Sequence, residues 1–167
     1  MRTSVAYAIA ITTTLWLGPT HAADVASQAF IKDAIEGNLA AVQVGKLAQE
    51  RGQSEEVRSF GRMLEQDHAD ANQQATAVAG ALGVSPPTQP DDKQRSFYDQ
   101  LSKLSGRDFD RQFVTRMIAD HEADVRKFES EARKGDEAAN YAKQALPTLR
   151  KHLLTAQTLS VGTTGSR

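Results

Sequence analysis

The sequence predicts an all-α protein built mainly from four long helices. After the first 22 residues the chain is rich in alanine, leucine, glutamine, glutamate, lysine and arginine, which have high helix propensities. Apolar residues recur at the three- and four-residue spacing of a helix that packs against a core, and no segment alternates as a half-buried strand does. Glycine and proline residues divide this periodic stretch, so we expect separate helices between them.

Residues 1–22 are predicted to be a secretory signal peptide rather than part of the fold. Arg2 gives a positive start, residues 5–17 form an uncharged apolar run, and Thr20 and Ala22 place small side chains at the −3 and −1 positions of a cleavage site after Ala22. The run is shorter than the roughly 20 apolar residues that span a bilayer. We therefore expect a periplasmic or secreted protein with no membrane span after cleavage; an uncleaved N-terminal anchor, and so a membrane-associated product, is the alternative.

The first two long helices follow the signal peptide closely. The first is predicted over residues 27–51, and Ser54 is a suitable N-cap for the second, which ends near Leu82. Glu55 and Glu56 stand in its first turn, where the helix dipole favours acidic side chains. Glycines within these helices either permit close helix packing or are merely tolerated: Gly37, Gly45 and Gly61.

A long connection then separates the two helix pairs. Residues 83–106 are rich in proline at their start and carry a short extra helix over residues 93–104. The third and fourth long helices are predicted over residues 107–134 and 136–160, joined by a tight turn. Two helix pairs linked by one long crossover between the second and third long helices are typical of the ferritin-like four-helix bundle.

The last part of the chain completes the predicted organisation. Pro147 lies inside the fourth long helix, where it is expected to kink or split that helix. Residues 161–167 are expected to be a disordered tail. The ferritin-like domain is therefore predicted over residues 23–160.

The composition excludes several classes of partner and site. The chain has 20 lysines and arginines against 21 aspartates and glutamates, whereas a nucleic-acid partner would require a basic face. Without cysteine it forms no disulfide and no zinc or iron–sulfur site of the cysteine type. No nucleophile paired with a base and no phosphate-binding loop is evident, so an enzymatic role is not favoured. The sequence identifies no protein partner and no oligomeric state.

Three histidines are the candidate functional residues. His68, His121 and His152 each interrupt the apolar stripe of a different predicted helix, the second, third and fourth. Imidazoles on separate helices that face one core can meet, and imidazole is a common ligand of transition metals.

A complete di-iron site of the ferritin type is not predicted. Glu65 and His68 form one Glu-x-x-His motif, but that site requires the motif on two helices. Ile118 and Leu149 occupy the corresponding positions before the other two histidines.

A site for a single divalent transition metal remains. Three imidazoles with one carboxylate, from Glu65, Glu36 or Asp124, would suit zinc, copper, iron or manganese. Met117, one turn before His121 on the same face, would favour copper if its thioether took part. Binding of such an ion, in envelope metal or oxidative-stress handling, is the leading function that the sequence predicts.

A structural role for the histidines is the alternative. Asp67 and Asp120 each precede a histidine, and each could accept a hydrogen bond from the histidine of the other helix. The protein would then be a non-catalytic envelope structural or interaction protein with a buried histidine–carboxylate network.

The same residues carry a family resemblance. The chain resembles uncharacterised bacterial proteins, described as secreted or outer-membrane proteins, that contain a ferritin-like domain of unknown function. The resemblance covers residues 30–159 and implies a ferritin-like bundle, export and no established activity. Its motifs are Phe30 with Lys46-Leu47-Ala48, Val57-Arg58-Ser59-Phe60, Asp67-His68, Leu104-Ser105-Gly106 with Phe109-Asp110, Asp120-His121, and Leu146-Pro147-x-Leu149-x-x-His152-Leu153.

Overall fold

The computed structural model describes the backbone of residues 20–164 and the side chains of residues 25–160. This part of the chain forms five helices and no strand, which confirms the expected all-α class. The helices, in chain order, are α1 (Thr20–Arg51), α2 (Glu55–Ala81), α3 (Asp92–Leu101), α4 (Gly106–Glu131) and α5 (Glu137–Thr164).

Both ends of the helical region extend beyond the predicted bounds. α1 begins at Thr20 rather than at residue 27, and α5 continues to Thr164, into the segment expected to be a disordered tail. Adding a residue to an existing helix gains a hydrogen bond without a new nucleation cost, so helices often extend beyond the residues that pack against the core. Most of the predicted signal peptide, residues 1–19, lies outside the described residues, as do residues 165–167. Between residues 20 and 164 no helix combines the length and apolarity needed to cross a membrane.

Side-chain caps define where the second and third helices begin. The Ser54 hydroxyl accepts a hydrogen bond from the Val57 backbone N–H at 3.2 Å, as the sequence predicted for an N-cap. Asp91 and Gln94 form a reciprocal capping box at the start of α3, a cap that the sequence reading had missed. Gly83, just after α2, has a φ of 67°, a left-handed conformation that ends a helix and that other residues rarely adopt.

A buried carboxylate ties the α1–α2 turn to α4. Asp110, 4 % exposed, accepts hydrogen bonds from the backbone N–H groups of Gln53 and Ser54 at 2.9 and 3.0 Å. These donors belong to a turn and have no helical partner, so the carboxylate satisfies them. Asp110 of the Phe109-Asp110 motif therefore has a structural role, which is to hold the α1–α2 turn against α4.

The buried side chains form two apolar clusters along the four long helices. One contains Phe30, Phe128 and Tyr141, with neighbouring ring centroids 4.9 and 5.9 Å apart. The other contains Phe60 and Phe113, whose centroids are 5.8 Å apart. The Phe30–Phe128 and Phe60–Phe113 pairs are edge-to-face, a geometry that adds to the free energy gained by burying the rings.

The three histidines occupy the level between these clusters. In α2, α4 and α5 the residues of the two clusters lie on either side of His68, His121 and His152, respectively. α1 pairs with α2 and α4 with α5, and contacts between α2 and α5 and between α1 and α4 join the two pairs. The fold therefore places a polar layer in the middle of an apolar interior.

Pro147 does not split α5, contrary to one of the expected outcomes. The helix is continuous from Glu137 to Thr164 with the proline inside it. Pro147 and Lys143, whose carbonyl loses its helical donor, are both exposed. Solvent can bond that carbonyl, so the helix tolerates the missing hydrogen bond.

Close packing of α1 against α2 explains two of the three glycines noted in the sequence. A Cβ atom on Gly45 would lie 2.7 Å from the Gly61 carbonyl oxygen, and one on Gly61 would lie 2.6 Å from the Gly45 oxygen. Gly37 differs, because a Cβ there would meet nothing nearer than Gln94 Nε2 at 4.0 Å. Of these three glycines, the packing therefore requires Gly45 and Gly61 but not Gly37.

This contrast predicts opposite effects of the same substitution. Gly61→Ala should lower the free energy of unfolding by about 1–3 kcal/mol, since the helices must separate to admit the methyl group. Gly37→Ala should raise it by about 0.5–1 kcal/mol, because alanine is the better helix former and has room. Urea denaturation of both variants tests this, and equal stability of the two would contradict the close packing.

Candidate metal centre

His68, His121 and His152 meet in the polar layer. One ring nitrogen from each lies within 4.8 Å of the others, and their side chains are 6, 2 and 0 % exposed. The ring centroids are 5.7, 5.1 and 5.3 Å apart. Imidazoles bound to one tetrahedral metal at about 2.0–2.1 Å have centroids roughly 5 Å apart and nitrogens roughly 3.4 Å apart. The ring spacing is therefore compatible with one ion, whose binding would draw nitrogens that lie up to 4.8 Å apart to about 3.4 Å.

The outer nitrogen of His68 is bonded to a side chain from α1. Its Nδ1 lies 2.9 Å from Asn38 Oδ1, and the Asn38 amide group donates to the Tyr141 hydroxyl at 3.0 Å. In this arrangement the amide oxygen faces the histidine. Nδ1 must then carry the proton, because an amide oxygen only accepts, and Nε2 keeps its lone pair.

The outer nitrogens of the other two histidines are fixed in the same way. His121 Nδ1 donates to the Met117 carbonyl, one turn earlier in α4, at 2.8 Å. His152 Nε2 donates to Asp67 Oδ2 on α2 at 2.9 Å, and Lys151 Nζ lies 3.5 Å from the same oxygen. A carbonyl and a carboxylate only accept, so each ring carries its proton on the outer nitrogen.

The inner nitrogens are left without partners. Among the described residues His68 Nε2, His121 Nε2 and His152 Nδ1 are buried and have no hydrogen bond. Each of these nitrogens carries a lone pair, and the three lone pairs lie in the same small region of the core. A buried polar atom with no partner costs about 1–3 kcal/mol, and adjacent lone pairs cannot satisfy one another. A proton or a water molecule can serve at most two of these nitrogens, whereas one metal cation can accept all three lone pairs.

Burial disfavours protonation of the three rings and so leaves their nitrogens free to bind a metal cation. Burial holds the pKa of His68 well below its usual 6.5, and the nearby His121 and His152 lower it further. Burial and His152 lower the pKa of His121 to about 4, and burial lowers that of His152 although Asp67 acts in the opposite direction. The three rings are therefore neutral near pH 7, which is the form that binds metals.

The three candidate carboxylates do not join the cluster. Glu65 accepts a hydrogen bond from Gln49 at 2.7 Å and lies 3.6 Å from Lys46, on the α1–α2 surface. Glu36 and Asp124 line a cavity that His68 and His121 also border. Among the described residues, the converging group thus contains the three histidines and none of these carboxylates.

The carboxylate pairing expected for a structural network is wrong in detail. Asp67 bonds His152 of α5 rather than His121, because α2 packs against α5 at this level. Asp120 forms an ion pair with Arg116, one turn earlier in its own helix, at 2.7 Å and forms no hydrogen bond with any of the three histidines. Only one of the three histidines therefore has a carboxylate partner.

Sequence reasoning missed two of the groups that hold the rings. Asn38 follows Ile31 and Ile35 on the buried stripe of α1, and a lone amide at such a position signals a buried polar contact. Tyr141 stands beside the small residues Ala138 and Ala142 on α5. Neither position identifies its partner, because both contacts join distant parts of the chain.

The described residues define an all-helical protein whose core encloses a cluster of three neutral histidines. Residues 17–159 match the family described as Domain of unknown function (DUF4142), and the chain belongs to that family. This agrees with the part of the resemblance that implied a domain without an established activity. No curated protein and no solved structure matches the chain.

The lowered pKa values predict that the metal-free fold weakens in mild acid. Below pH 6.5 these histidines bind protons in the unfolded state but remain neutral in the folded state. The free energy of unfolding should therefore fall as pH drops from 7 to 5. The fully developed contribution of His121 alone would be about 3 kcal/mol near pH 4. Urea denaturation with a chelator present measures the trend.

Asp124 supplies a control for this pH dependence. Burial and the neighbouring Asp120 raise its pKa to about 6, so its contribution has the opposite sign: the folded state takes up this proton first as pH falls. Asp124→Asn should therefore steepen the loss of stability between pH 6 and 5. A free energy of unfolding that stays constant from pH 7 to 5 in both proteins would contradict the buried, neutral histidines.

Proposed function

We propose that this protein binds one divalent transition-metal ion through His68 Nε2, His121 Nε2 and His152 Nδ1. The observation that carries the proposal is the set of three buried nitrogens without partners, each opposite a nitrogen that is already bonded. Bonding of the outer nitrogen to a carbonyl or carboxylate is what holds metal-binding histidines in one tautomer and orientation. Here all three rings have such an acceptor.

The ligand set favours zinc or copper over manganese and iron. Three neutral imidazoles offer nitrogen only, whereas manganese prefers oxygen ligands, and among divalent ions of the first row copper and zinc bind nitrogen sites tightly. Met117 borders the same cavity as His121, so a thioether lies near a possible copper site. With three protein ligands, one position of a tetrahedral ion would remain open, as in catalytic rather than structural zinc sites.

The proposal extends to the setting of the protein. We infer a ferritin-like bundle over residues 23–160 and export to the periplasm or beyond, where the site would serve envelope metal or oxidative-stress handling. Four long helices with α3 in the long connection between α2 and α4 support the fold assignment. The charge and apolarity pattern of residues 1–22 supports export.

The contact between His152 and Asp67 is the observation that favours the structural alternative. A buried histidine–carboxylate pair can fix how α2 and α5 pack without binding anything. In that case the inner nitrogens have no function, and the protein is a structural or interaction protein of the envelope.

Thermal melting separates these two functions. Against a chelated reference, Zn(II), Cu(II), Fe(II) and Mn(II) should be added in turn at pH 7.5. An ion present at 100 times its dissociation constant adds about 2.7 kcal/mol of stability. His68→Ala, His121→Ala and His152→Ala should each lose most of this gain, because the three ligands form one site. Glu65→Gln, whose carboxylate faces Lys46, is the matched control and should keep the full rise.

Two outcomes would exclude the metal site. In the first, no ion raises the melting temperature of the unmodified protein. In the second, all three histidine variants keep the full rise. Either result would leave the structural role of the His152–Asp67 pair as the remaining function.

The hydrogen bond from Asn38 gives a separate prediction. Asn38→Ala keeps all three ligands but frees the His68 ring, so the dissociation constant should rise about 10–100-fold, as for other outer-shell partners of metal ligands. Gln43→Ala, at an exposed position of the same helix, should leave it unchanged. Competition against a chelator of known affinity measures both constants. Unchanged affinity in Asn38→Ala would show that the amide does not position His68.

A further inference from the structure

A cavity of about 290 Å³ lies against the histidine cluster. Its walls come from α1, α4 and the start of α3, and His68 of α2 closes its inner side together with His121. Two of the three histidines whose buried nitrogens lack partners, His68 and His121, therefore line this cavity. We call this space the access cavity.

The access cavity carries an excess of negative charge. Five carboxylates line it, against the two cations Lys127 and Arg116. Lys127 is paired with Asp33 at 2.7 Å, and Arg116 is paired with Asp120 at 2.7 Å. Among the described residues the other three carboxylates, Glu36, Asp91 and Asp124, form no ion pair, although Lys127 acts electrostatically on Glu36 and Asp124 from nearby.

Two of these carboxylates are poorly stabilised as anions. Burial raises the pKa of Glu36, and the nearby Asp33 and Asp91 raise it further. Burial and Asp120 likewise raise the pKa of Asp124. A cation in the cavity would relieve this repulsion, whereas an anion would increase it.

We propose that the access cavity is the route by which a divalent cation reaches the three histidines, with Glu36 and Asp124 attracting the ion along it. The inference rests on the proposed metal site and adds its path and the residues that govern its rate. Glu36 and Asp124 thereby act on the metal as charges along the path and not as permanent ligands. This agrees with their position outside the converging group of nitrogens.

A second cavity, of about 230 Å³, offers the competing route. It lies on the α2–α5 side and is bordered by His68, Asn38, Asp67 and Tyr141. Asn38 and Asp67 bind the outer nitrogens, so an ion arriving there meets the sides of the rings that carry protons. Exposed Asp70 on this side provides the matched control.

Stopped-flow binding of Co(II) to the metal-free full chain at pH 7.5 tests the route. The visible absorption of the bound ion gives the association rate, and a titration gives the dissociation constant. In the double variant Glu36→Gln/Asp124→Asn the association rate at low salt should fall about tenfold or more, and its dependence on salt should weaken. The dissociation constant should change far less, because the ligands are intact. Asp70→Asn should keep the rate of the unmodified protein.

A variant that blocks the cavity tests the route without changing charge. Gly37 lines the access cavity and has room for a side chain. Gly37→Leu should slow association, while Gly37→Ala should not. Both replace glycine with a good helix former, so loss of the helix would not explain a difference between them.

The outcomes distinguish this inference from the proposed function. If Co(II) binds, the histidine variants abolish binding, and the Glu36/Asp124 and Gly37→Leu variants bind at the normal rate, the route is wrong and the metal site stands. Slowing by Asp70→Asn alone would overturn it in favour of the second cavity. If Co(II) does not bind to the unmodified protein at all, both the route and the site are refuted.

Discussion

The structure depends on three lone pairs that face one another inside an apolar interior. Helical proteins usually fill the middle of their core with apolar side chains, because each buried polar atom must find a partner. Here two aromatic clusters enclose a layer in which the inner nitrogens of His68, His121 and His152 have none. Burial of neutral rings keeps these atoms from being protonated near pH 7, so the layer is left with the capacity to bind a cation.

The rest of the fold keeps the rings in this arrangement. Gly45 and Gly61 bring the backbones of α1 and α2 into contact, and α1 carries the Asn38 amide that holds His68 of α2. The amide reaches Tyr141 on α5, and Asp67 on α2 reaches His152 on α5. The layer thus connects three helices through side chains, so a shift of one helix would disturb the rings of the others.

Sequence pattern predicted the helices and the meeting of the histidines, but not the groups around them. Helical periodicity places His68, His121 and His152 on core-facing stripes. Because the three helices share one core, their imidazoles are expected to lie close together. Pairing across the core is different, because it depends on which helices pack together at one level. The sequence could not show that Asp67 would face α5, or that Asp120 would instead pair with Arg116. The four-residue spacing of Arg116 and Asp120 is visible in the sequence and is compatible with an ion pair within the helix. Asp120 also stands next to His121, so the sequence alone does not decide between the two partners.

The kinds of acceptor around the rings bear on what the layer is for. A network built only for stability would be expected to bond both nitrogens of a buried ring, since an orphaned one subtracts from the gain. In this layer an amide oxygen, a backbone carbonyl and a single carboxylate each accept one hydrogen bond, and among the described residues no group bonds the inner nitrogens. The outer bonds therefore fix three neutral tautomers at the cost of three unsatisfied atoms. Binding of the proposed ion to all three would recover that cost, and the net negative charge of the access cavity lies on the side from which we propose that the cation comes.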